Sequence, residues 1–204
     1  MTSWIDDPTG GRARGPSGIA RAWVATLVRP RQLFSNGVSP GDQAPALTFA
    51  VTVAAAYTLG WILAEPSAVP GVVDSVAVSA LVVLLLVVAL AAPVGLHLTA
   101  AVATLSVVIA SVAYDDGWVL RDRAGVSQTV QVVAYASSPM ALAGPPVPAL
   151  RVVCGAYAVV LFVFGIRTVH RLTLPRAVVA GLPPAVLGYG VGYRVIAAVR
   201  AVLG

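Results

Sequence analysis

The chain has 204 residues, of which 58% are hydrophobic and 10% charged, and its mean hydropathy is +0.89. Soluble domains carry about 25% charged residues, so this composition excludes an ordinary water-soluble globule and points to a membrane domain with a short N-terminal appendage. All thirteen basic residues are arginine and eight residues are acidic. The arginines sit at the ends of apolar segments, where they meet lipid headgroups, so the basic balance is a juxtamembrane signal and nucleic acid is not an expected partner. With Cys154 as the only cysteine, no intrachain disulfide can form.

Residues 1–18 are polar and rich in Gly and Pro, with Asp6, Asp7, Arg12 and Arg14 among them. Such a segment buries too little apolar surface to fold, and a disordered cytoplasmic arm is expected. Residues 19–38 read differently. Ile19, Trp23, Thr26 and Leu27 recur at helical spacing, Arg21, Arg29 and Arg31 flank them, and Pro30 interrupts them. The segment is too short and too charged to span. Two readings stand: an amphipathic helix lying in the interface with Trp23 and Phe34 at headgroup level, or a helix packed on the cytoplasmic end of the bundle.

The transmembrane domain is expected over residues 39–204. Ser39-Pro40-Gly41-Asp42 has the composition of a helix start, with Ser39 as cap and Pro40 at the first helical position. Ala44 to Leu63 then runs without a charge for long enough to cross. After a polar loop from Glu65 to Asp74, Ser75 to Ala113 is ionisable only at His97. At 1.5 Å per residue this stretch is roughly 58 Å long as a helix, about twice the hydrocarbon thickness. It is either one long helix kinked at Pro93 or two spans. With a cytoplasmic N-terminus and one crossing, ten arginines fall inside and three (Arg151, Arg194 and Arg200) outside. With two crossings the arginines divide eight to five. The positive-inside rule therefore favours five transmembrane helices, with six as the alternative. His97 reads as a proton relay or as an interfacial structural residue. Asp115 and Asp116 are adjacent acids in a loop and make a weak metal candidate.

Gly125 to Pro148 is apolar enough for a bilayer, yet it carries Ser127, Gln128, Gln131, Tyr135 and Ser138 along one side of a helix. Unpaired amides are costly in lipid, so this polar seam faces other helices. It serves either as interhelical hydrogen-bond glue or as the lining of a polar pathway. Pro139 is expected to kink this third span. Leu150 to Ile166 forms the fourth span, with Arg151 snorkelling at its outer end. A basic loop with Arg167, His170, Arg171 and Arg176 leads to a last helix over Ala177 to Ala198, kinked at Pro183 and Pro184. Gly188 and Gly192 form a GxxxG pair, a signal for close helix packing.

The order of these features resembles the Yip1-domain family in its prokaryotic form. The resemblance rests on Arg29-Pro30 to Phe34 ahead of the first span, on Gly125-Val126-Ser127-Gln128-Thr129-Val130 followed by Ala134-Tyr135-Ala136-Ser137-Ser138-Pro139, and on the proline-started fourth helix with its basic loop and glycine-rich fifth helix. It covers about residues 27–202. It implies an all-α, polytopic helix bundle of five spans in the cell membrane, with the N-terminus cytoplasmic and the C-terminus outside. Eukaryotic members act in vesicle trafficking, binding small GTPases and shaping membranes. The resemblance supplies no catalytic residues, and the chain lacks the HExxH, GxSxG or paired-aspartate patterns of membrane enzymes. The expected function is therefore non-enzymatic: an integral membrane protein, without cofactor or metal, that organises the lipid bilayer, a membrane-protein partner or its own homo-oligomer. The alternative is a small transporter or channel using the seam on the third helix.

Overall fold

Within a bilayer an uncharged run of Ala, Val and Leu satisfies its backbone groups by forming a helix. The computed structural model describes residues 15–204 and follows that rule. Expectations for residues 1–14 lie outside the described residues. Helix α1 spans Gly15–Val28, so the end of the expected disordered arm is helical from Gly15. A single turn over Pro30–Gln32 and a π turn over Leu33–Gly37 lead to α2, Ala44–Ala64. Helix α3 runs unbroken over Val76–Ala110. A two-stranded hairpin follows, β1 Val112–Tyr114 and β2 Trp118–Leu120. Helix α4 is Val126–Ala136, continued by a 3-10 turn over Ser138–Leu142. Helix α5 is Pro148–His170, α6 is Leu174–Gly192 and α7 is Val195–Leu203.

Among the described residues, four helices are long and apolar enough to cross a membrane: α2, α3, α5 and α6. The long apolar stretch after Asp74 is thus one helix of 35 residues, and the two-span alternative does not describe it. A π turn over Val87–Ala91 lies just ahead of Pro93, which has no N–H to give to the preceding turn. The element expected as the third span is shorter than the other four and is built as α-helix plus 3-10 turn.

Helix α4 is the centre of the bundle. It packs against α2, α3 and α5, while α1 lies across it and its 3-10 continuation. Every residue from Thr129 to Met140 is buried as a result. Helix α3 lies along α6, and α5 contacts both α6 and α7. Arg176 Nη1 donates to the Ala110 carbonyl at 3.2 Å, tying the start of α6 to the end of α3.

Several local expectations are corrected. Ser39 does not cap α2. The helix begins five residues later, because the chain turns at Gly41 (φ 84°) and the backbone of Ser39 is engaged by another segment. Phe34 packs inside the bundle: it is 2% exposed, its ring centroid 6.3 Å from that of Phe164. The last helix does not continue to Ala198. It ends at Gly192, and the chain passes through left-handed Arg194 (φ 58°) into a separate α7. Of the GxxxG pair, only Gly188 makes a close approach, to the Thr99 side chain; Gly192 meets no neighbouring helix. The loop carrying Asp115 and Asp116 is a hairpin tip, with Tyr114 paired to Trp118 and their rings edge to face at 5.6 Å. Aromatic and β-branched residues on either side of Asp-Asp-Gly favour that arrangement.

Candidate functional site

The polar residues of the third predicted span are brought together by α4, and three of them bond to backbone of the chain itself. Gln128 Oε1 accepts from the Gly125 N–H at 3.0 Å, so Gln128 closes the first turn of its own helix. Gln131 is 1% exposed and reaches the loop before α2: Oε1 accepts from Ser39 N at 3.1 Å and Nε2 donates to Ser39 O at 2.6 Å. Ser127 Oγ accepts from Gly41 N at 3.1 Å. Two side chains thus supply three hydrogen bonds to the backbone of one turn. Tyr135 packs its ring 5.2 Å from that of Phe49 on α2. Ser138 is fully buried; its carbonyl accepts from Trp23 Nε1 at 2.8 Å, while its hydroxyl finds no hydrogen-bond partner among the described residues. Pro139 stands in the 3-10 turn that ends the helix.

Two contacts explain the position of α1. Its buried stripe is Gly18, Ala22, Ala25 and Thr26, small residues that allow a close approach. Trp23 donates to Ser138, and the Tyr157 hydroxyl on α5 donates to the Leu27 carbonyl. The segment packs along α4, its 3-10 continuation and α5. Trp23 is anchored to the 3-10 turn that continues α4.

A second assembly has no counterpart among the expectations from sequence. A cavity of about 640 Å³ lies between α2, α3, α4, α6 and α7. Its body is apolar, with Ala50, Ala54, Leu96 and Leu187 in the walls. At the end where α2 finishes and α5 begins, its lining changes to Tyr57, Trp61, Glu65, Arg151, Tyr193 and Arg194. Arg151 does not extend away from the bundle. Its Nε donates to Ala143 O at 3.2 Å, and its Nη2 to Gly144 O at 3.1 Å and Pro145 O at 3.4 Å. The guanidinium also lies 5.4 Å from the Tyr57 ring centroid, within cation–π range. Tyr57 in turn donates its hydroxyl to Tyr193 O at 3.1 Å and meets the Tyr193 ring edge to face at 5.2 Å.

This polar end is built on a backbone-to-backbone contact. A Cβ added at Gly144 would run into the carbonyl oxygen of Tyr57 and come within 2.9 Å of the Gly60 Cα. Only glycine lets the loop before α5 press onto the last turns of α2 at this distance, and the carbonyls that hold Arg151 are presented there.

The remaining candidates stay apart. His97 is exposed, and its Nδ1 lies 2.8 Å from the Pro93 carbonyl one turn earlier. His170 is not a loop residue: it is 1% exposed at the end of α5, its Nε2 3.2 Å from Thr129 Oγ1. Among the described residues no three potential metal ligands cluster. Pro183 and Pro184 lie inside α6, and the chain passes into π turns over Val186–Gly192 directly after them. Sequence reasoning missed Tyr57, Tyr193 and the fold-back of Arg151. The only signal was a set of aromatic and arginine residues near span ends, which marks headgroup depth in general.

No curated protein and no solved structure matches the chain. The family model described as the Yip1 domain does, over residues 24–194. That match covers most of the chain, including α2 to α6, the central α4 and the whole of the cavity apart from α7. This multi-pass integral membrane protein belongs to the Yip1-domain family.

Proposed function

We propose that the chain is a non-enzymatic membrane organiser: a five-span protein of the cell membrane, cytoplasmic at its N-terminus, that holds membrane-protein partners or further copies of itself. The observation that carries this reading is the use made of the polar seam. Gln128, Gln131 and Ser127 spend their hydrogen-bonding groups on the chain's own backbone. They act as internal glue, which leaves no charged or polar file along α4 for a reaction or a permeating solute.

The topology has its own support. Helix α4 with its 3-10 turn is roughly 27 Å long at 1.5 and 2.0 Å per residue, close to the about 30 Å of a hydrocarbon core. Counted as a crossing, it makes five. Arg121, Arg123, Arg171 and Arg176 then share the bundle end marked by the Arg176–Ala110 bond, opposite Arg151 and Arg194. The positive-inside rule puts the richer end in the cytoplasm.

The experiment is affinity purification of the full chain in mild detergent after cross-linking in intact membranes. Recovery of a defined partner, or of a cross-linked oligomer of the chain, is expected. A monomer with no partner would count against the proposal. The second reading, a small transporter, is favoured by the cavity beside an interrupted α6. It is tested by solute flux into liposomes, with Gln131→Leu for the seam and Gly95→Leu for the cavity. Flux that Gly95→Leu abolishes would move the assignment to transport.

A further inference from the structure

The cavity has a chemical polarity that the organiser role does not use. Its body is made of small and aliphatic side chains from membrane-spanning helices, with Ala54, Leu96 and Leu187 among them. Exposed Leu98 and Val191 also line it, so part of its wall faces the surrounding bilayer. Its volume of about 640 Å³ falls inside the range of about 300–1,000 Å³ typical of ligand pockets. A void of this size and lining does not stay empty in a bilayer, because its walls forfeit their dispersion contacts.

The polar end selects among apolar occupants. Two arginines and one glutamate meet there, leaving one excess positive charge. Arg151 is held rigidly by three carbonyls through Nε and Nη2, while Nη1 donates to nothing among the described residues. Arg194 is exposed, and its side chain makes no hydrogen bond or ion pair among the described residues. It is placed beside the cavity by its left-handed backbone, which starts α7. Guanidinium groups are suited to phosphate oxygens. Trp61 and Tyr57 beside them are residues that settle at headgroup depth.

We infer that this cavity is a binding site for an anionic glycerophospholipid, with an acyl chain in the apolar body and the phosphate between Arg151 and Arg194. The site lies at the bundle end opposite Arg176, and it holds whether or not a protein partner is recovered.

The test uses the full chain reconstituted in vesicles of equal parts phosphatidylglycerol and phosphatidylcholine, released into mild detergent and analysed by native mass spectrometry. One retained phosphatidylglycerol per chain is expected, favoured over phosphatidylcholine by about tenfold, a difference of about 1.4 kcal/mol. Gly95→Leu puts a side chain into the cavity from a position where an added Cβ meets nothing within 4 Å. It should lower occupancy by both lipids. Arg194→Gln, a surface change that leaves the packing intact, should abolish the preference for phosphatidylglycerol while keeping occupancy. Equal retention of the two lipids by the unaltered chain, or full occupancy in folded Gly95→Leu, would overturn the site. So would a photo-reactive side chain at Leu98 that captures protein and no lipid, since a protein would then be the occupant.

Discussion

Gln131 holds both the amide hydrogen and the carbonyl oxygen of Ser39, 92 residues away in the chain, with a single side-chain amide. The pairing is that of one strand residue to another, made by a side chain. It locks the entry to α2 onto the central helix at a point where no regular secondary structure satisfies the loop backbone.

Removing that amide strands two backbone groups and keeps the volume. Gln131→Leu should therefore destabilise the protein by about 1–3 kcal/mol, read as a lower thermal midpoint in detergent. Gln128→Leu loses only the bond that closes the first turn of α4. It should cost about 1 kcal/mol. A larger effect at 128 than at 131 would mean that the Ser39 contact is not what holds the entry to α2.

Gly144→Ala tests the contact beneath the arginine. The added methyl has backbone, not a flexible side chain, in its way. Overpacking of this kind costs about 1–3 kcal/mol or more. At Gly60 an added Cβ meets Pro145 at 3.2 Å and Gly144 Cα at 3.3 Å, a milder conflict. The expected order of thermal midpoints, from highest to lowest, is wild type, Gly60→Ala, Gly144→Ala.

Trp23→Phe keeps an aromatic ring and deletes the hydrogen bond to Ser138. The loss should be about 0.5–1.5 kcal/mol and should fall on α1 alone. Amide hydrogen exchange will show faster exchange over Ala22 to Val28 and unchanged exchange over α4. Uniform loosening of both would mean that α1 and α4 open as one unit.

The spans themselves are readable from the chain because charge is so scarce that each run of twenty apolar residues stands out. Ala44 to Leu63 differs from the observed α2 by a single residue. The seam is readable for the same reason: Gln128 and Gln131 are anomalous among their neighbours. Their partners are not, because Ser39 offers only its backbone, and every residue has one. The break at Tyr193–Arg194 carries no proline, and the fold-back of Arg151 depends on carbonyls brought near by the Gly60–Gly144 contact. Neither leaves a mark in local composition. The arginines around His170 give it the look of a basic loop, and its burial comes from packing against Thr129, on a helix that sequence spacing does not bring close.

Sidedness can be read with cysteines. Cys154 is buried, so Cys154→Ala gives a silent background for single cysteines at Val72 and Trp118, both exposed. In intact cells a membrane-impermeant maleimide should modify the cysteine at 72 and spare the one at 118 until the membrane is opened. Labelling at both positions would reject an odd number of crossings between them.

Helix α3 has a mechanical consequence for the lipid around it. Its 35 residues make a rod of roughly 52 Å, against about 30 Å of hydrocarbon. Only 6% of its most apolar window is buried, and Leu81, Leu85, Leu86 and Leu90 face outward. Neighbouring helices do little to dictate the angle of that half. The rod must lean, or the bilayer beside it must thicken, each at a cost of fractions of a kcal/mol per ångström of mismatch. A chain carrying such an oversized element rests most easily in the thicker regions of a membrane, and hydrophobic mismatch gives it a means of sorting laterally that needs no partner.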